Sequence, residues 1–115
     1  MAGQTRDQDD LELILELIDH IGRRLAATTP QTFAEDRDEI DLTAFRLAHI
    51  GEAAKRLSSE LKDRHTNIPW RAMTDMRNVL AHDYGGLRPE LIWAAATTRL
   101  NELAAVCRTE LAGAR

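Results

Sequence analysis

Arg77, Asn78, His82, Asp83 and Tyr84 fall within eight consecutive residues and are followed at once by Gly85 and Gly86. No other window of the chain gathers a permanent cation, an amide, an imidazole, a carboxylate and a phenol so closely. Guanidinium grips phosphate oxygens bidentately, and imidazole moves protons near neutral pH. The chemistry this segment could support is therefore work on a phosphate, with Asp83, Gly85 and Gly86 in supporting positions.

The residues before Arg77 read as a helix with apolar positions at Trp70, Met73, Met76 and Leu80. Arg77 stands beside that stripe, where a guanidinium is drawn toward a packed surface and needs an anionic partner or ligand. An isolated helical Arg more often snorkels and pairs with a nearby carboxylate; the presence of His82 favours chemistry. At about 100° per residue, positions 77 and 82 would lie about 140° apart on one helix. The helix should therefore end near His82, and Gly85-Gly86 would close it, since glycine takes left-handed backbone conformations and lets backbone approach a ligand. An imidazole in a last helical turn sits at the negative end of the helix dipole, a place suited to acid and base work.

A chain of 115 residues fits a single domain over 1–115, with 1–6 and 112–115 expected to fray. Aromatic residues make up only 4%, and Ala and Leu dominate the apolar set, a helical-bundle composition with few of the side chains that sheets favour. The sequence has no apolar run long enough to span a bilayer and no signal-peptide pattern at Met1 to Arg6. The expectation is a soluble, cytoplasmic protein. Cys107 is the single cysteine, which rules out an internal disulfide and a Cys-based zinc site and leaves a small core residue. The net charge of −4 divides unevenly: residues 1–50 carry 5 Lys+Arg against 11 Asp+Glu, and 51–115 carry 10 against 8. An acidic protein is a poor nonspecific binder of nucleic acid, so any such contact must be local to the second half.

Apolar spacing at Leu11, Ile14, Leu15, Ile18, Ile21 and Leu25 predicts a first helix from about Asp7 to Ala27, with Asp9, Asp10 and Glu12 near its positive end. Thr29-Pro30 reads as an N-cap and first helical position opening a short turn through Phe33 and Ala34. The run Glu35, Asp36, Asp38, Glu39 and Asp41 is a solvated face and the start of a second helix, continuous from about Asp38 to Arg64. Gly51 inside it costs about 1 kcal/mol against Ala, a cost that a close helix approach would offset. Lys55 and Arg56 could add positive potential near the site. His20, His49 and His65 have no second ligand at metal spacing and are read as surface or packing residues. Ile68-Pro69-Trp70 opens a third helix and Pro89 a fourth, the last carrying Trp93, Ala96, Leu100, Leu103 and Cys107 in a three-and-four rhythm. Four main helices with short connections give an all-α bundle.

The segments Ile50-Gly51-Glu52-Ala53-Ala54-Lys55-Arg56-Leu57-Ser58, Ile68-Pro69-Trp70, Met76-Arg77-Asn78 and Ala81-His82-Asp83-Tyr84 together resemble the HEPN superfamily. Within it they are similar to the HepT-like toxins of bacterial and archaeal toxin-antitoxin pairs, whose signature of Arg, four residues, His, one residue and Tyr is matched by Arg77, His82 and Tyr84. The likeness covers about Leu42 to Trp93. It implies a HEPN-type four- to five-helix up-and-down bundle that works as a homodimer, and a metal-independent endoribonuclease with no cofactor. It also implies catalytic roles for Arg77 and His82, an implicated polar residue at Asn78, and Tyr84 as the position that a minimal nucleotidyltransferase (MNT) antitoxin modifies with AMP. The competing reading is a non-catalytic subunit that presents nucleotide or substrate to a nucleotidyltransferase through the same Arg77 and Tyr84 pocket.

Elementary chemistry agrees with that resemblance. Metal-free RNA cleavage uses the neighbouring 2′-hydroxyl as nucleophile, so an enzyme must take one proton, supply another to the leaving oxygen and stabilise charge on phosphorus. One chain offers a single motif histidine. Two facing chains offer two His and two Arg, which would complete acid, base and clamp.

Overall fold

The computed structural model describes residues 2–82 and 86–113. Its helices are α1 (Ala2–Ala26), α2 (Pro30–Ala34), α3 (Arg37–Arg56), α4 (Ser59–Arg64), α5 (Trp70–His82), α6 (Pro89–Ala94) and α7 (Leu100–Gly113), with a π-helical turn over Ala95–Arg99 between the last two. The architecture is the expected all-α bundle. Helix α3 is central: it packs on α5 along one flank and on α1 along the other, and α1 packs in turn on α7.

The apolar rhythms become the core. Ile14 and Ile21 of α1, Phe33 of α2, Ile40 and Ile50 of α3, Leu61 of α4, and Leu103 and Cys107 of α7 are all buried. Phe33 meets Trp93 at 5.2 Å between ring centroids, joining α2 to α6. Helix starts follow the local chemistry. Thr29 Oγ1 accepts from the Thr32 N–H at 3.1 Å and Asp36 Oδ1 from the Glu39 N–H at 3.2 Å, each satisfying an otherwise orphaned donor. Pro30 and Pro89 occupy first-turn positions. Trp70 Nε1–H donates to the His65 carbonyl at 3.0 Å and anchors the start of α5.

Three expectations are corrected. Helix α1 begins at Ala2, ahead of its apolar stripe, so Asp9, Asp10 and Glu12 lie beyond its first turn and interact little with its dipole. Asp10 is instead a tertiary partner, accepting from Arg56 Nη2 at 2.8 Å and Nε at 3.1 Å. That pair ties Arg56 to α1 and removes it as a source of positive potential at the motif; Lys55 is exposed outside the cleft described below.

The helix expected to run from Asp38 to Arg64 breaks at Leu57, whose φ of −61° and ψ of 147° are extended. Ser58 caps α4 through its Oγ, which accepts from the Leu61 N–H at 3.3 Å. Asp7 holds the break from α1: its carboxylate accepts from the Ser58 N–H at 2.9 Å and the Ser58 hydroxyl at 2.6 Å. The fourth expected helix, by contrast, runs on without a break over 89–113, with the π turn as a local widening where Thr97 and Thr98 hydroxyls donate back to the Trp93 and Ala94 carbonyls.

Candidate functional site

Helix α5 runs through His82, the last described residue before the expected closure. Asp83, Tyr84 and Gly85, where the modification site and part of the glycine closure were expected, lie outside the described residues; Gly86 is exposed just beyond them.

Arg77 is fixed by the crossing of α3 and α5. The helices meet at Gly51, where an added Cβ would stand 2.7 Å from Arg77 Cβ and 3.0 Å from the Met73 carbonyl oxygen. No side chain fits there without displacement, so the glycine inside α3 is what lets the stem of Arg77 lie on the neighbouring backbone. One residue further along α3, Glu52 receives the guanidinium, with Arg77 Nε 2.9 Å from Glu52 Oε2. That oxygen is enclosed and has no aligned hydrogen-bond donor, so the contact is chiefly ionic. Arg77 Nη1 donates to Asn78 Oδ1 at 2.9 Å. Arg77 and Glu52 are 33% and 36% exposed, shielded enough for the pairing to orient the group and open enough for it to meet a ligand.

The pair lies in the wall of a cleft of about 430 Å³. Asp41, Phe45, His49 and Glu52, spaced to share a face of α3, form one side, and Arg77, Leu80 and Leu87 form the other. His82 is exposed and does not line this cleft, as the angular separation along α5 requires. The structure thus brings Arg77 and Asn78 together and leaves His82 apart within one chain.

Glu52 and Phe45 carried no assigned role in the sequence, and His49, expected as a surface or packing residue, lines the cleft beside Phe45. The signal for Glu52 was its place directly after the glycine of a close helix approach. For Phe45 and His49 it was their i, i+4 spacing on the side of α3 away from the buried Leu47 and Ile50. The remaining histidines are structural: His20 hydrogen-bonds Arg23 at 2.8 Å, and His65 Nε2 lies 2.6 Å from Glu110 Oε2. Among the described residues no group of three or more His, Cys, Asp or Glu side chains is placed to hold a metal ion. Burial pushes the Cys107 thiol up to about 12, which makes it a core side chain and not a nucleophile. No described helix is long and apolar enough to cross a membrane.

Comparison with known proteins gives the arrangement a context. The family model described as "Ribonuclease HepT-like" matches residues 14–110. A putative RNase of Caldanaerobacter subterraneus subsp. tengcongensis is 30% identical over 93 residues, which span 81% of this chain and 83% of that one. A probable ribonuclease HepT of Thermococcus cleftensis is 32% identical over 85 residues, 74% of each chain. No solved structure gives a significant match. With the match running from the middle of α1 to the last turns of α7, and including the whole of the Arg77 to Tyr84 segment, the chain belongs to the HepT-like ribonuclease family.

Proposed function

We propose that the protein is the toxin of a type II toxin-antitoxin pair, a metal-independent endoribonuclease whose site is completed across a homodimer and silenced by AMP transfer to Tyr84. The observation that carries this reading is the oriented Arg77 at a ligand-sized cleft, with the only motif imidazole turned away from it on the same helix. A second copy facing the first would supply the missing proton-transfer group.

In the reaction, a base removes the proton of the 2′-hydroxyl, whose oxygen then attacks the adjacent phosphorus. Arg77 neutralises the non-bridging oxygens, and His82 delivers a proton to the departing 5′ oxygen. The products are a 2′,3′-cyclic phosphate and a free 5′-hydroxyl. Glu52 holds the Nε side of Arg77 and Asn78 the Nη1 side. An incoming phosphate then displaces a neutral amide, the weaker of the two contacts, and gains charge-assisted hydrogen bonds in return.

The control step rests on the match of Arg77, His82 and Tyr84 to the family signature. An AMP group on Tyr84 adds a phosphodiester anion and a bulky nucleoside beside the motif, which would pair with Arg77 and block RNA. Incubating the pure chain with single-stranded RNA in EDTA tests the nuclease: cleavage with cyclic-phosphate ends supports it, and intact RNA at high enzyme concentration favours a non-catalytic binding subunit. Coexpression with a small nucleotidyltransferase encoded nearby, followed by peptide mass spectrometry, tests control. AMP increments should appear on the Tyr84 peptide and be absent from Tyr84→Phe, which still cleaves; an adduct on another residue, or an adduct-bearing protein of full activity, refutes the control step.

A further inference from the structure

The cleft beside Arg77 has an aromatic wall that phosphate chemistry does not use. Phe45 is 61% exposed, one of three large apolar side chains so exposed among the described residues, with Val79 and Leu91. Its ring centroid lies 4.4 Å from that of His49 with the planes tilted 59°, a close, tilted ring contact. Both rings line the same cleft as Glu52 and Arg77. An exposed phenyl ring supported by a second ring, in a concavity that also holds an oriented guanidinium, is the arrangement used to hold unpaired bases.

We propose that Phe45 and His49 form a stacking subsite for an unpaired nucleobase of the RNA substrate, next to the phosphate held by Arg77. The proposal deepens the ribonuclease reading and rests on it. A cleft of about 430 Å³ falls within the usual range of small-ligand pockets and would take one nucleotide. The nucleotide's parts match the lining: a π face for the rings, an anionic phosphate for Arg77, and ring N–H or amino donors for the Glu52 carboxylate. The partner copy that supplies His82 must approach the Arg77 end of the cleft, but filling the cleft with it would bury the Glu52–Arg77 pair away from water, a costly step, whereas a hydrated nucleotide leaves both charges partnered. Every base has a π face, so the subsite selects unpaired over duplex RNA and contributes little sequence preference.

The test measures equilibrium binding of a fluorescent single-stranded RNA oligonucleotide and of the matching duplex to the full chain carrying His82→Ala, which slows cleavage. Adding Phe45→Ala should weaken single-strand binding by about 5- to 150-fold, the range for loss of one base–aromatic stack, with His49→Ala acting in the same direction. Phe45→Trp should restore binding, Leu91→Ala should leave it unchanged, and duplex affinity should not respond to Phe45. Sedimentation of each variant accompanies the titrations. The proposal is overturned if Phe45→Ala binds like its parent, if Phe45→Trp fails as Ala does while folded, or if Phe45→Ala changes the sedimenting mass, which would make this face a seam between copies. Cleavage by the unsubstituted chain is assayed in parallel. RNA binding that depends on Phe45 without cleavage would refute the nuclease and keep the subsite, and cleavage with a KM indifferent to Phe45 would do the reverse.

Discussion

Arg77 shows how a single side chain is prepared for chemistry before any ligand arrives. Its stem rests on Gly51, its Nε meets Glu52 and its Nη1 meets Asn78, so much of the rotamer entropy of a long cation is lost on folding and not on binding. Arg77→Ala and His82→Ala should each lower RNA cleavage by about 10²- to 10⁴-fold, the usual loss for an acid-base group and a fair expectation for the clamp, with circular dichroism unchanged. Arg77→Lys should rescue little, because an ammonium keeps the charge but lacks the planar fork that meets Glu52, Asn78 and phosphate together. Near-parental cleavage by both alanine variants would put the site elsewhere. The motif itself was legible because its chemistry is contiguous in the chain. Glu52 was not assigned, since nothing local reveals that a carboxylate 25 positions before Arg77 faces it.

At the scale of helices, the close approach of α3 and α5 is the element on which the site depends. Gly51→Ala places a methyl 2.7 Å from Arg77 Cβ, and neither an α-helical backbone nor a Cβ can retreat cheaply. Overpacking of this kind costs about 1–3 kcal/mol, and the variant should lose both thermal stability and cleavage, because the displaced part is the stem of Arg77. A Gly51→Ala protein that melts and cleaves like its parent would mean that the helices sit further apart. The glycine was readable as a contact point because its entropic cost inside a helix calls for compensation. The break at Leu57 was not readable for the opposite reason: Ala54, Leu57 and Leu61 keep a helical rhythm and are all buried, so the pattern runs unbroken through a backbone that does not. What ends α3 there is Asp7, 51 positions away. Ser58→Ala, which removes the cap of α4 and the hydroxyl donated to Asp7, should cost about 1 kcal/mol and lower the melting temperature without altering cleavage chemistry.

Over the whole molecule, ion pairs between distant segments fasten the bundle and set its response to acid. Hydrogen bonding from Arg64, and then from His65, holds the Glu110 carboxyl below its ordinary range, and hydrogen bonding from Arg24 does the same for Glu39. A carboxyl whose pKa is depressed by folding contributes stability above its unfolded pKa, and that contribution disappears as pH falls through the folded value. Glu110→Gln should therefore melt about 3–6 °C below the parent at neutral pH, with the gap closing below the ordinary carboxylate range; a constant gap down to strong acid would mean the loss is one of packing. The same level of organisation decides whether the chain acts alone. Since His82 does not reach the Arg77 cleft within one chain, activity should belong to a species of about twice the 12.9 kDa chain mass. A complementation experiment separates a shared site from two independent ones. When His82→Ala chain is allowed to exchange subunits with Arg77→Ala chain, the mixed dimer holds one site in which Arg77 comes from one copy and His82 from the other. In a shared site the mixture should regain cleavage far above either chain alone, each of which carries a defect of about 10²- to 10⁴-fold for its missing group; a mixture as inactive as its components would show that Arg77 and His82 must come from one chain, and the composite mechanism would have to be abandoned.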